Sequence, residues 1–136
     1  KKIETDIQGY DLDSQIVKAA RENARCAGVE SLIHFQARDV KELSHSGKYG
    51  FIVTNPPYGE RLEEKAKLPA IYTSLGERFA ALDSWSMYVI TAFRETEKYI
   101  GRKADRNRKI YNGMMKTYFY QFLGPKPPKG AREGKE

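Results

Sequence analysis

Four consecutive residues, Asn55-Pro56-Pro57-Tyr58, bring an amide, a proline carbonyl and an aromatic ring together on a segment that cannot continue regular structure. Each proline fixes its own φ and biases the residue before it toward an extended conformation, so the four form a stiff hook. This set of groups fits an aromatic exocyclic amine, such as N6 of adenine or N2 of guanine. The lone pair of such an amine is delocalised into the ring and is a poor nucleophile. If the Asn55 side-chain oxygen and the Pro56 carbonyl accept its two N–H bonds, the nitrogen is drawn toward tetrahedral geometry. Its lone pair is then free to attack an electrophile. Tyr58 offers a ring on which the base can stack. No strong general base is needed before attack, so the absence of His or Cys near the hook is no objection. The same four residues also read as a proline turn that closes a strand, with Tyr58 as packing.

The hook needs an element to hold it, and the run Tyr49 to Thr54 supplies one. Its β-branched and aromatic residues have the composition of a buried strand, and two prolines, which donate no N–H, must end it. In open α/β sheets that carboxyl end is where ligands bind. Upstream, Ile3 to Tyr10 is a strand candidate, followed by Asp11. Asp13 or Ser14 can cap a helix from about Ser14 to Ala27, stopped by Gly28. Its apolar stripe is Ile16, Val17, Ala20, Ala24 and Ala27. A carboxylate at a strand end ahead of a helix can accept both ribose hydroxyls of a nucleoside, and Asp11 has that place; its bland role is helix capping. Leu32 to Ala37 is a short strand with Ile33 and Phe35 on one face, ended by Arg38-Asp39-Val40, where Asp39 also reads as a surface turn acid.

Val40 to Lys48 makes at most a short helix and a turn, and Gly59 to Lys67 is expected to be a charged loop. A helix then begins near Pro69, with Ile71, Tyr72, Leu75, Phe79 and Leu82 as a core stripe. Trp85 to Ala92 is a strand buried by composition, and Phe93 to Ile100 a short helix ending at Gly101. The basic segment Arg102 to Lys109 leads into a hairpin with Asn112-Gly113 between Ile110-Tyr111 and Met114 to Leu123. Strands alternating with helices and closed by a hairpin predict a three-layer α/β sandwich.

At 136 residues the natural count is one domain, 1–124, followed by a basic, mobile tail over 125–136. The net charge of +6 is uneven: from Arg94 onward there are 12 Lys and Arg against 5 Asp and Glu, and before it 12 against 13. Clustered positive charge suggests a phosphate backbone as partner, or a solvated surface with a basic tail. No apolar run approaches the roughly 20 residues of a membrane span. The single cysteine, Cys26, excludes an internal disulfide, reads as a small core residue and fits a reducing cytoplasm. His34 and His45 lack metal-ligand spacing, so no metal is expected.

Asn55-Pro-Pro-Tyr58 after a hydrophobic strand resembles motif IV of the S-adenosylmethionine-dependent amino-methyltransferases. The extension Gly59-Glu-Arg-Leu62 resembles one branch of them, the bacterial ribosomal RNA guanine-N2 methyltransferases, often described as N6-adenine-specific DNA methylases. The resemblance runs from about Ile7 to Gly124. It implies a class I Rossmann-like methyltransferase fold with S-adenosylmethionine as cofactor. Asp11 and Leu12 would then lie at the ribose, Asp39 at the adenine amino group with Val40 packing on the ring, and Asn55 between cofactor and substrate. It also implies an RNA-binding THUMP domain upstream and large-subunit ribosomal RNA as substrate. Arg61, Arg102, Lys103, Arg106, Arg108 and Lys109 would line the RNA path, with Lys116 as a contributor; Arg61 could instead pair with Glu60 or Glu63.

One family feature has no counterpart. Nothing before Asp11 supplies the strand and glycine-rich turn that approach the cofactor's methionine part, and only Gly9 precedes the first acid. The resemblance places that strand between the one ending at Asp11 and the one ending at Asn55. The expectation is the carboxyl-terminal part of a longer polypeptide, with two pieces of sheet and weak cofactor binding on its own. Three other functions fit parts of the sequence. The hook serves adenine N6 as well as guanine N2; methyltransferases acting on glutamine in release factors use a similar hook; and a non-catalytic RNA-binding module would need no glycine loop.

Overall fold

The computed structural model describes residues Thr5–Lys129. The chain divides into two compact units, Lys1–Leu43 and Ser44–Glu136. In the first, β1 (Ile7–Asp11) and β2 (Ile33–Ala37) pair in parallel, with Ile7 opposite Ile33 and Asp11 opposite Ala37. The helix α1 (Ser14–Cys26) connects them. Asp13 is its cap, its side chain accepting the Gln15 N–H at 2.8 Å, and Gly28, at φ +75°, closes the end by donating to Arg25 C=O at 3.0 Å. Of the expected stripe only Val17 and Ala24 are buried, while Ile16 is 53% exposed. Two strands offer a narrow surface, so positions seven apart meet it and the neighbouring Ile16 does not. Strand β2 turns Ile33 and Phe35 to one side, as expected. Gly9 lies against the Phe35 ring so closely that a Cβ would sit 2.8 Å from it. Ile3 and Glu4, at the start of the expected first strand, are outside the described residues.

The second unit is a four-stranded sheet in the order β3-β4-β6-β5. Strands β3 (Phe51–Thr54) and β4 (Ser86–Thr91) are parallel; β6 (Met115–Phe122) is antiparallel to both β4 and β5 (Arg106–Asn112). Between β3 and β4 run a one-turn helix α2 (Leu62–Lys65) and the longer α3 (Leu68–Ala81), which has a proline in its first turn. The core lies between α3 and one face of the sheet: Leu68, Tyr72, Leu75 and Phe79 are buried with Met87, Val89, Tyr120 and Phe122. The Phe79 and Phe122 rings stand 6.3 Å apart. Gly76 lets α3 approach α4 (Thr96–Ile100), since a Cβ there would lie 2.3 Å from the Ile100 carbonyl oxygen.

Four expectations change. β3 is not buried on both faces among the described residues: Phe51 and Val53 are 68% and 73% exposed, because alternate residues of a strand turn to opposite faces and the core with α3 lies on only one of them. β4 likewise alternates, burying Met87, Val89 and Thr91 and leaving Ser86, Tyr88 and Ile90 half-buried. The charged stretch after the hook contains α2, whose first turn carries Glu63 and Glu64, acids that suit a helix amino end. In the hairpin Asn112 pairs with Met115, so the two central residues are Gly113, at φ +64°, and Met114. Glycine first in a two-residue loop is the type II′ arrangement, which matches the twist of the strands. Arg106 to Lys109 consequently belong to β5, a fully exposed edge strand.

Among the described strands, β1 and β2 pair only with each other and β3 only with β4. The sheet is thus a partial Rossmann-like one, as expected. Most of the expected tail, from Gly130 on, lies outside the described residues. Cys26 is exposed and has no disulfide partner, in contrast to the core position expected of it.

Candidate functional site

The two acids of the first unit stand at the carboxyl ends of neighbouring parallel strands. Asp11 ends β1, and its backbone carbonyl accepts the Arg38 N–H at 2.8 Å, which ties it to the residue before Asp39. One Asp11 carboxylate oxygen accepts the Asp13 N–H at 2.8 Å. Asp39 does the same for the Lys41 N–H at 2.9 Å, starting the single turn Val40–Glu42. Each acid keeps a second oxygen that meets no donor among the described residues, and both residues are half-buried. Helix capping falls to Asp13, so that bland role for Asp11 is excluded. A half-buried carboxylate with a free oxygen at a parallel strand end fits a ribose diol, and the neighbouring acid fits an amino group. Val40 is half-buried beside Asp39, and Leu12 is 73% exposed beside Asp11.

In the second unit β3 stops at Thr54 and the hook follows. The Tyr58 hydroxyl donates to the Asn55 side-chain oxygen. Burial pushes the Tyr58 hydroxyl above its ordinary pKa, against the bond to Asn55, so it remains a proton donor at neutral pH. An amide oxygen has two acceptor directions, and Asn55, which is exposed, keeps one for a ligand. The Pro57 carbonyl accepts the Tyr72 hydroxyl at 3.0 Å. Among the described residues no donor reaches the Pro56 carbonyl. Gly59, buried at φ +79°, completes the bend; a Cβ there would come within 2.8 Å of the Leu68 side chain.

Tyr72 is fully buried on α3, and its hydroxyl also meets Thr91 Oγ1 at 2.6 Å. Thr91 Oγ1 in turn accepts the Phe93 N–H at 3.0 Å. Burial drives the Tyr72 hydroxyl up to about 12, more than the bond to Thr91 lowers it. Two loops therefore rest on one buried pair: the hook after β3 and the turn after β4. Sequence reasoning placed Tyr72 in the core stripe but missed this link. The available signal was a tyrosine where a leucine would pack, since a buried phenol needs a partner for its hydroxyl.

The expected RNA-path cations divide into two kinds. Arg102 donates to Asp105 at 2.8 Å and to the Leu123 carbonyl at 2.9 Å, which makes it a clasp at the base of the hairpin. Arg106, Arg108 and Lys109 are exposed on β5, Lys103 is exposed before it, and Lys116 stands over the Tyr118 ring at 5.6 Å. Arg61 makes no ion pair with Glu60 or Glu63 among the described residues. No group of three or more His, Cys, Asp or Glu residues able to hold a metal occurs among them either.

Each unit thus carries half of one pattern: acids ending parallel strands in the first, and in the second a proline hook on a sheet closed by an antiparallel hairpin. That is the class I methyltransferase fold, in part. The chain belongs to the family described as RMKL-like, methyltransferase domain, whose profile matches residues 1–121. It is 44% identical over 112 residues to YpsC of Bacillus subtilis, described as an RNA methyltransferase, covering 82% of this chain and 29% of that protein. It is 40% identical over 121 residues to the ribosomal RNA large subunit methyltransferase K/L of Syntrophotalea carbinolica, covering 84% of this chain and 17% of that protein. Among solved structures it resembles SMU.472, described as a methyltransferase complexed with SAH, with a TM-score of 0.87 and 38% identity. That match covers 93% of this chain and 33% of the other. The chain therefore spans a third or less of each of these three proteins.

Proposed function

We propose that the protein carrying this chain methylates the exocyclic N2 amine of a guanine in large-subunit ribosomal RNA, with S-adenosylmethionine as methyl donor. The supporting observation is the unequal treatment of two successive carbonyls. Tyr72 occupies that of Pro57, which fixes the hook, while that of Pro56 is left for a ligand beside the free acceptor of Asn55. The resemblance to relatives named for large-subunit ribosomal RNA methylation favours RNA as substrate.

Asp11 and Leu12 would hold the cofactor's ribose, and Asp39 and Val40 its adenine. When bound, S-adenosylmethionine would supply an electrophilic methyl group with a thioether as its leaving group. The guanine, turned out of its stack, rests on the Tyr58 ring and gives its two N–H bonds to Asn55 and Pro56. As the nitrogen pyramidalises, its lone pair forms the new N–C bond and positive charge develops on it. The Asn55 and Pro56 dipoles are aimed at that charge, and one N–H proton departs to solvent. Arg61, Lys103, Arg106, Arg108 and Lys109 contact backbone phosphates, while Arg102 shapes the hairpin. A glycine-rich loop and a THUMP domain upstream, and a cytoplasmic setting, complete this reading.

The test is mass spectrometry of nucleosides from ribosomal RNA and DNA incubated with the protein and isotope-labelled S-adenosylmethionine. Labelled N2-methylguanosine is expected. Labelled N6-methyladenine would replace guanine by adenine, which offers the hook the same amine. No label, without cofactor binding, would leave an RNA-binding module.

A further inference from the structure

Beside the hook, and lined in part by its Tyr58, the second unit holds a cavity of about 300 Å³. It is lined by Tyr58 of the hook, Lys65 of α2, Leu68 of α3, and Phe93, Arg94 and Glu95 of the turn after β4. Its size is at the lower end of the range of small-ligand sites, roughly 300–1,000 Å³. The two loops are built, not incidental: the hook hangs on Tyr72 through Pro57, and the turn after β4 hangs on Thr91 through Phe93. Tyr72 and Thr91 are bonded to each other, and the Tyr72 ring packs 4.7 Å from that of Phe93. The Thr96 hydroxyl closes the turn by donating to the Phe93 carbonyl at 2.5 Å. A single buried pair therefore anchors both loops that line the cavity.

Its charges are arranged for an anion. Glu95 is paired with Lys98 at 3.4 Å, whereas Lys65 and Arg94 make no ion pair or side-chain hydrogen bond among the described residues. Both are exposed. Two uncommitted cations in a cavity that Tyr58 and Phe93 also line match a nucleotide, phosphate to the cations and sugar or base against the rings. We infer that this cavity binds the RNA nucleotide adjoining the one held by the hook, with Lys65 and Arg94 on its phosphate. The inference rests on the RNA reading above and extends it to a second nucleotide, so the site fixes the strand's path on either side of Tyr58.

The experiment measures binding of a short single-stranded RNA by fluorescence anisotropy across a salt series, together with methyl transfer, for the protein and for Lys65→Glu, Arg94→Glu and the milder Lys65→Gln and Arg94→Gln. Each lost phosphate contact should lower the slope of log affinity against log salt by about 0.7. The apparent KM for RNA should rise in each variant, while kcat at saturating RNA and the affinity for S-adenosylmethionine stay unchanged. Unaltered slopes in all four variants, with methyl transfer intact, would overturn the subsite and leave the enzyme reading standing. RNA binding with shifted slopes but no methyl transfer in any form would uphold the subsite and overturn the enzyme reading. Absence of RNA binding by the unaltered protein would overturn both.

Discussion

Asp11 and Asp39 are oriented by backbone amides two residues further along the chain, whereas the hook is oriented by a tyrosine 15 residues away that is itself bonded to a threonine 19 residues further on. The carboxylates need only a strand end and a turn, and the first unit holds them with a thin core of Val17 and Ala24. The hook presents the Pro56 carbonyl while that of Pro57 is taken, and no local rule does that. The second unit spends the interior of its best-packed region on it, between α3 and the buried face of β4. The placement of the two acids is thus a local feature, while that of the hook is a tertiary one.

This contrast can be broken from either side. Asn55→Ala removes one of the two acceptors and should lower the methyl-transfer rate about 10²- to 10³-fold with RNA and cofactor affinity little changed, by analogy with losing one polar group from a preorganised site. A near-normal rate would return the hook to a proline turn. Tyr72→Phe keeps the ring and frees the Pro57 carbonyl; it should cost about 1–3 kcal/mol in a denaturant titration, because the fully buried Thr91 hydroxyl loses its partner along with that carbonyl. The rate should fall with it, and an unchanged rate would show that the hook holds its shape unaided.

A pH titration sharpens the same point. The Tyr72 hydroxyl is raised from the ordinary 10 to about 12 in the folded chain. Between those values the unfolded state has lost a proton that the folded state keeps. Its contribution to stability is therefore complete below pH 10 and declines by about 1.4 kcal/mol per pH unit until about pH 12. The Tyr72→Phe chain should lack that part of the decline, as seen by comparing denaturant midpoints of the two across this window. In the first unit, Asp13→Ala should cost about 1 kcal/mol of stability through the lost helix cap. Asp11→Ala should instead weaken S-adenosylmethionine binding by calorimetry and leave stability nearly as it was. The reverse pairing would exchange the two roles.

Much of this was legible in the residues. Pro56 and Pro57 can only end a strand, Asp13 precedes a helical stripe, Gly28 and Gly101 stop helices in the left-handed region, and Asn112-Gly113 announces a hairpin. These are signals read within a few positions, where backbone sterics decide. The alternation of strands and helices pointed to the fold class.

Tertiary structure decided what depends on partners far along the chain. Composition made Tyr49–Thr54 look buried, yet among the described residues only one face of β3 is covered, and Phe51 and Val53 turn to the other. Arg102 counted among the basic residues but is drawn to Asp105 and Leu123 once the hairpin brings them close. Tyr72 and Thr91 sit 19 positions apart, and only packing of α3 on β4 joins them. Sequence determines which groups can do chemistry, because that is a property of the residues. Which of two adjacent carbonyls is free to do it is a property of the fold, because a buried hydroxyl from another element must take the other.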